Sequence, residues 1–277
     1  MVFVVGAVAI DLVAVRGRFL DGASNPSDIR PGLGGVGYRI FSNLDVPRTF
    51  ITALADDPIS RWAREALQAD GGVCIQPVGS KDARPPLYLA MMETGNLKVG
   101  GADYRILQQS LSLSFAVEQI GAPAPGDFLI LDANLSEAVV QGLCARYAQS
   151  LRIVFEPVSV EKATRHAATL HDLFLLTPTG EEAAALTAGP VEEYRRSRRI
   201  ENLLVTLGRD GVCLYDDAGV EAFAPGVVVE QTDTTGAGDL LLASLVSRLH
   251  AGEPMRTAVR SAMRGVEQRL IAAEPPG

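Results

Sequence analysis

Cysteine and histidine are scarce in this chain of 277 residues, which contains only three of each. Cys74, Cys144 and Cys213 lie far apart, are odd in number and form no C-x-x-C pair. A disulfide framework and a zinc site are therefore both disfavoured, and the histidines show no spacing typical of metal ligands. We expect reduced, mostly buried thiols, as in a cytosolic protein.

The sequence also lacks an excess of positive charge and a long apolar run. Lysine and arginine total 25 against 33 acidic residues, giving a net charge of −8, which argues against nucleic acid as a partner. The apolar start at residues 1–10 has no basic leader and is followed at once by Asp11, so it favours a buried strand over a signal peptide. No run is long enough to span a membrane. These features predict a cytoplasmic protein without a nucleic-acid or membrane partner.

Short apolar strands alternate with helical patterns along most of the chain. Residues 2–9 form a continuous apolar run, as expected for a strand covered on both faces, and Asp11 closes it. Further strands are predicted at 50–54, 73–78, 128–131, 153–155, 173–176, 203–207 and 227–229. This alternation predicts an α/β fold with a doubly wound, mostly parallel sheet flanked by helices, whose ligands bind beyond the carboxyl ends of the strands.

The helical patterns between these strands are specific enough to assign residue ranges to the helices. Helices are predicted after the Gly34-Gly35 pair and at residues 58–68, 136–149, 181–188 and 240–249. The pattern at 58–68 puts Trp62 and Leu67 on the inner face. Residues 192–199 contain four arginines and are most simply the solvated face of a helix or a linker.

One segment does not fit the parallel sheet. Residues 85–101 form a hairpin pattern around the turn 93–96, and residues 12–33 combine β-like character with a stretch rich in Gly, Ser, Asn and Pro. Together they predict a small separate sheet. On sequence alone, this sheet is equally consistent with a lid over the substrate and with an edge hairpin that has no role in binding.

The most informative stretch is D-T-T-G-A-G-D at residues 233–239, where a strand pattern gives way to a helix. Unobstructed N–H groups at Gly236, Ala237 and Gly238, together with the helix dipole, would form an anion site. Asp239, in the first helical turn, would face the same space and could accept a hydroxyl proton. A Gly-rich turn with a capping Asp is the simpler alternative.

The stretch resembles the second signature of the ribokinase-like (PfkB) carbohydrate kinases, D-T-x-G-A-G-D. The resemblance implies that Asp239 is the catalytic base, that the amides of the Gly-Ala-Gly segment hold the transferred phosphate, and that Thr234 and Thr235 contact the nucleotide. Residues 34–44 resemble the first signature as it occurs in the pseudouridine kinase branch. Gly34 and Gly35 would then let a sugar approach the backbone.

Further matches occur in the same order as in the family. Asp11 would hold sugar hydroxyls, although it could also be an ordinary turn residue. D-A-N-L at 132–135 and E-P-V-S-V-E-K-A at 156–163 resemble features of the pseudouridine kinase branch. T-P-T-G-E-E-A at 177–183 matches the segment whose Glu, here Glu182, organises Mg²⁺. V-T-L-G-R-D-G at 205–211 matches the turn beside the nucleotide, which implies nucleotide contacts by Thr206, Gly208 and Gly211.

The resemblance covers nearly the whole chain and implies a division into core and lid. Residues 1–11, 34–84 and 103–277 would form the α/β core, and residues 12–33 and 85–102 the β lid. It implies ATP and Mg²⁺ as cofactors and raises the question of K⁺. It also implies a small-molecule sugar or nucleoside as partner, with a homodimer through the lid as a further option.

Two departures from the family pattern bear on the substrate. Arg39 stands where the family has a substrate-binding Asn, and Thr179 replaces the Asn that precedes Glu182. Arg39 could clamp a carboxylate or phosphate of the substrate, or it could point into solvent; the sequence leaves both open.

The residues and the resemblance together predict transfer of the γ-phosphate of ATP to the hydroxymethyl group of a sugar or nucleoside, with a pseudouridine-like acceptor favoured. The alternative is a degenerate family member that binds a sugar or nucleoside without phosphorylating it. A dinucleotide-dependent oxidoreductase is disfavoured, because no G-x-G-x-x-G follows the first strand.

Overall fold

A computed structural model of the chain describes residues 1–25, 27–94, 96–226 and 236–273. The strands are β1 (Val2–Val5), β2 (Ala9–Arg16), β3 (Asp28–Gly34), β4 (Arg48–Ala55), β5 (Val73–Val78), β6 (Leu87–Glu93), β7 (Asn96–Asp103), β8 (Phe128–Asp132), β9 (Arg152–Glu156), β10 (Leu175–Leu176), β11 (Asn202–Thr206), β12 (Val212–Asp216) and β13 (Gly219–Phe223). The helices are α1 (Val36–Asn43), α2 (Pro58–Ala69), α3 (Arg105–Ser110), α4 (Leu113–Ile120), α5 (Glu137–Tyr147), α6 (Val160–His166), α7 (Gly180–Leu186), α8 (Val191–Ser197), α9 (Ala237–His250) and α10 (Met255–Ala273).

Within the described residues, nine strands form one large sheet in the order β13-β12-β11-β10-β9-β8-β1-β4-β5. The pairs from β11 to β5 are parallel, and the pairs β11–β12 and β12–β13 at one edge are antiparallel. The order reverses direction at β1, which lies between β8 and β4. This mostly parallel sheet confirms the α/β class predicted from the alternating pattern.

Alternate side chains of each strand enter two different hydrophobic cores, because successive residues of a strand point to opposite faces. In β1, Phe3 and Val5 join a core that also contains residues of α3 to α8. Val2 and Val4 join the other core, which contains residues of α1, α2, α9 and α10. Helices therefore cover both faces, which explains why the central strands are apolar throughout.

The remaining four strands form a separate small sheet in the order β3-β2-β6-β7. The pairs β2–β3 and β6–β7 are antiparallel, whereas β2 and β6 are parallel. The sheet draws on both predicted segments, 12–33 and 85–102, and β3 begins within the stretch rich in Gly, Ser, Asn and Pro. No helix in the described ranges is long and apolar enough to cross a membrane.

The first strand was predicted wrongly in one respect. The apolar run at 2–9 is not one strand, because β1 ends at Val5 and Ala9 already begins β2 of the small sheet. Asp11 therefore lies within β2 and does not close the first strand. The residues between the two strands are buried while the chain crosses from one sheet to the other, so hydrophobicity alone does not reveal the break.

Four other expectations need correction or limitation. Trp62 is 42% exposed on α2, whereas Leu67 is buried as predicted. Arg195 of α8 is not solvated: it is buried and donates to the carbonyl oxygens of Ile200 and Glu201. The strand expected at 173–176 is limited to Leu175–Leu176. The strand expected at 227–229 lies outside the described residues.

Candidate active site

An anion-binding terminus lies at the start of α9. Gly236 is the N-cap residue, has a φ of 84° and provides no side chain to cap the helix. Such a backbone conformation is strained for residues with a Cβ atom, so glycine suits the position. The amides of Ala237 and Gly238 lie in the first helical turn, where N–H groups have no partner within the helix. The helix start can therefore bind the oxygens of a phosphate.

The carboxyl group of Asp239 faces the same space. A methyl group built on Gly236 would lie 3.8 Å from Oδ2 of Asp239. The pKa of Asp239 is raised to about 7, mainly by burial; the guanidinium of Arg39 lowers it, and the negative charge of Asp132 makes a smaller contribution in the upward direction. A carboxyl group with a pKa near 7 is a competent general base at neutral pH.

Asp11 projects from β2 toward α1. Its carboxyl group packs on Gly34, where a methyl group would lie only 2.0 Å from Oδ2, so any side chain at position 34 would displace the carboxylate. Oδ1 of Asp11 is buried and has no hydrogen-bond partner in the part of the chain that the structure describes. Burial raises the pKa of Asp11, and Arg39 opposes this shift. Gly35, the N-cap residue of α1, follows directly.

Arg39 projects from α1 into the site. Its Nη2 donates to Oδ2 of Asp11 at 2.9 Å, and the side chain is 29% exposed. A methyl group on Gly236 would lie 3.6 Å from Cδ and 4.0 Å from Nη1 of Arg39. Of the two orientations that the sequence left open, the one toward the site is therefore observed, and the one into solvent is wrong.

Glu182 lies near the carboxyl group of Glu156. It is buried at the start of α7, where its Oε2 accepts from the amide of Thr179 at 2.8 Å and its own amide donates to the hydroxyl of Thr179. Glu156, at the end of β9, is half-buried and accepts from the Thr177 hydroxyl at 2.6 Å. Burial raises the pKa of Glu156 well above its usual range, and the charges of Asp239 and Glu182 add to the shift.

These carboxyl groups bear on metal binding. Among the described residues, no group of three or more His, Cys, Asp and Glu side chains is arranged to hold a metal ion. Mg²⁺ commonly binds through one or two carboxylates, several waters and the phosphates of its nucleotide. The second carboxylate oxygen of Glu182 suits this mode, in which the metal arrives with the nucleotide.

The residues expected at the nucleotide are brought together only in part. Thr206 ends β11 and its amide donates to the carbonyl of Pro178. Gly208 begins a 3₁₀ turn that ends at Gly211, beside the same strand. Thr234 and Thr235 lie outside the described residues. A cavity of about 370 Å³ opens between β13 and α10, with Phe223, Gly226, Arg260, Met263 and Glu267 among its lining residues.

Two site residues were not predicted as such. Tyr104 is largely buried, and the charges of Asp11, Arg39 and Asp132 all act on its hydroxyl, whose pKa is raised mainly by burial. The ammonium group of Lys162 lies 5.1 Å from the Tyr104 ring centroid and is attracted by Asp132. Lys162 belongs to the E-P-V-S-V-E-K-A match, which could have identified it; Tyr104 carries no comparable signal.

Asp132 binds the backbone segment between β1 and β2. It ends β8 and is fully buried, with its two oxygens accepting from the amides of Ala7 at 2.7 Å and Asn134 at 2.9 Å. Burial raises its pKa. The residue holds the crossing between β1 and β2 against the end of β8, and so fixes the position from which Asp11 projects.

Known proteins resemble this chain in sequence and in fold. Residues 1–264 match the family model described as pfkB family carbohydrate kinase. Pseudouridine kinase of Escherichia coli K12 is 23% identical over 290 residues, covering 99% of this chain and 91% of the relative. A carbohydrate kinase structure from Agrobacterium tumefaciens is 26% identical, with a TM-score of 0.79 over 96% of this chain and 89% of that chain.

A second structure has a more distant sequence. Fructokinase from Vibrio cholerae O395, solved with fructose, ADP and calcium ion bound, is 17% identical, with a TM-score of 0.74 over 96% of this chain and 89% of that chain. At this identity the likeness concerns the fold, and it confirms the predicted ribokinase-like architecture.

Proposed function

Since the chain belongs to the pfkB family of carbohydrate kinases, whose members are phosphotransferases acting on hydroxyl groups, we propose that it transfers the γ-phosphate of ATP to the hydroxymethyl group of a sugar or nucleoside. The observation that carries the proposal is the pairing of the Asp239 carboxyl group with the N-terminus of α9. A base with a pKa of about 7 lies beside amides that can bind a phosphate.

The proposed reaction is a direct displacement. The acceptor oxygen forms a bond to the γ-phosphorus while the bond from that phosphorus to the bridging oxygen of ADP breaks, and Asp239 takes the hydroxyl proton. The amides of Ala237 and Gly238 stabilise the charge on the transferred phosphoryl group. Asp11 supports acceptor binding, because its buried Oδ1 has no hydrogen-bond partner among the described residues and can accept from a hydroxyl.

ATP binding is proposed to involve Mg²⁺, held through waters by Glu182. The metal neutralises phosphate charge when bound. Thr206, Gly208 and Gly211 support the nucleotide from the turn after β11, and Thr234 and Thr235 keep their predicted role. The need for K⁺ and the cytoplasmic location stay predictions from the sequence.

Pseudouridine-like nucleosides are the acceptors we favour. The support is the relative in Escherichia coli, which covers nearly the whole chain, together with the D-A-N-L match at 132–135. Arg39 offers only donors where the family has Asn, so the acceptor can differ from that of the relative. The small sheet is proposed to act as a lid, because Asp11 extends from it into the site.

The test is ADP release with ATP and Mg²⁺ across pseudouridine, uridine, adenosine, ribose and acidic or phosphorylated sugars. We expect turnover with at least one of these, highest with pseudouridine. Asp239→Asn should remove most turnover, by a factor of about 100 or more, while the affinity for the acceptor persists. Full activity of this variant would refute the base assignment. Acceptor binding without turnover by the wild type would favour the non-catalytic binder.

A further inference from the structure

The guanidinium of Arg39 lies between Asp11 and the start of α9. Its Nη2 donates to Asp11, on the side where the acceptor is proposed to bind. Its Nη1 faces the start of α9, within 4.0 Å of a methyl group built on Gly236. The two terminal nitrogens of one side chain therefore face two different parts of the reaction centre.

Most donors of this guanidinium are unused in the part of the chain that the structure describes. The group carries five N–H donors, and its hydrogen bond is the one to Asp11. An arginine guanidinium carries a positive charge in proteins. Nη1 therefore adds a fixed positive charge with open donors beside the helix terminus that is proposed to hold the phosphate.

We propose, building on the proposed function, that Arg39 stabilises the phosphoryl group during its transfer. As the γ-phosphorus passes from the bridging oxygen of ADP to the acceptor oxygen, Nη1 donates to an equatorial oxygen of that phosphoryl group. Arg39 neither gains nor loses a proton in this step, and the hydroxyl proton goes to Asp239. An arginine placed in this way is a major contributor to rate in other phosphoryl-transfer enzymes.

The geometry favours this role over recognition of an anionic acceptor. Asp11 already neutralises the acceptor side of the guanidinium, since it binds Nη2 there. An acidic acceptor would have to compete with that carboxylate. On the phosphoryl side, no carboxylate among the described residues forms an ion pair or a hydrogen bond with the guanidinium, and Asp239 acts on it only through its charge.

The first experiment compares Arg39→Gln and Arg39→Lys with the wild type. We expect Arg39→Gln to lower kcat about 100-fold or more, with the KM for the acceptor changed less than about threefold. Arg39→Lys should recover part of the lost kcat, because lysine keeps the positive charge but has one ammonium group in place of two terminal nitrogens. Arg61→Gln, which removes an exposed arginine from α2, changes the net charge equally and should leave kcat unchanged.

Slow hydrolysis of ATP without an acceptor gives a second readout. A residue that only binds the acceptor would leave this rate unchanged, whereas one that contacts the phosphoryl group should lower it when removed. A third readout is binding of ADP, Mg²⁺ and fluoroaluminate, which imitate the transferring group. We expect fluoroaluminate to tighten ADP binding to the wild type and not to Arg39→Gln, while ADP alone binds both equally.

The outcomes separate this inference from the function on which it rests. A wild type that turns over while Arg39→Gln keeps its kcat and shows only a raised KM would overturn the phosphoryl role and leave the kinase proposal standing. A folded wild type without turnover on any acceptor would overturn both. Thermal unfolding of each variant shows whether a lost rate reflects lost structure.

Discussion

The charge state of a single carboxyl group should govern the rate at neutral pH. Burial and Asp132 raise the pKa of Asp239 to about 7. The base must be deprotonated to accept the hydroxyl proton, so activity should be present above that pH and lost below it. We expect kcat/KM to fall about tenfold per pH unit below the midpoint, measured with saturating Mg²⁺ between pH 5.5 and 8.5.

Arg39 provides a check on that pH profile. Because its charge lowers the pKa of Asp239, Arg39→Gln should move the midpoint to higher pH. Circular dichroism over the same range controls for unfolding. A flat profile between pH 6 and 8, with the fold intact, would mean that another group takes the proton.

At the residue scale, the sequence proposed most side chains of the candidate site but not their orientations. Asp239 and Glu182 follow from motifs, since a helix terminus and a capping sequence are local features. The direction of Arg39 depends on Asp11 and Gly236, which are distant in sequence. Trp62 and Arg195 were misjudged for the same reason: helical spacing gives a face, while exposure depends on what packs against that face.

At the scale of elements, α7 depends on its N-terminal cap. Thr179 and Glu182 form a capping box, in which each side chain accepts from the backbone amide of the other residue. We expect Thr179→Ala to lower the free energy of unfolding by about 0.5–2 kcal/mol, measured by urea denaturation. Thr179→Asn restores the residue typical of the family and is also a good cap, so its stability should equal that of the wild type. Equal unfolding midpoints for all three proteins would show that the cap contributes nothing.

The cap also explains how Thr179 can stand in for Asn without loss of the helix start. It accepts from the Glu182 amide and leaves one oxygen of the Glu182 carboxylate for other partners. Local pattern was sufficient to predict this helix together with α1, α2, α5 and α9. The break between β1 and β2 was missed because it requires knowing which of two sheets each part of an apolar run joins.

At the scale of the whole molecule, alternation of strands and helices predicted the large sheet, because parallel strands joined by helices have few arrangements. The small sheet was harder to predict from the sequence. Its central pair, β2 with β6, joins residues 10–16 with 87–93, and no local signal encodes such a distant register. The same pairing places apolar residues on one face of the small sheet. This face could be recognised only once the register was known.

That face is the basis of the last prediction, a homodimer through the small sheet. Cross-strand pairing of Ala14 with Ile29 and of Met91 with Val99 puts these residues on the same face as Leu89. Ile29, Leu89 and Val99 are 61%, 53% and 56% exposed. An exposed apolar patch of this kind is typical of an interaction surface, and a stable dimer buries about 800 Å² on each partner.

Light scattering coupled to size-exclusion chromatography tests the dimer. We expect a mass near twice the 29.4 kDa of one chain, and a mass near one chain for Leu89→Lys, because a buried lysine pair opposes association. Val220→Lys is the matched control: Val220 is 57% exposed on β13, at the far edge of the large sheet, and the change should leave the mass unaltered. A monomeric wild type at about 50 μM, well above the Kd of a micromolar dimer, would contradict this prediction without touching the active-site proposals, since Asp11, Arg39 and Asp239 all belong to one chain.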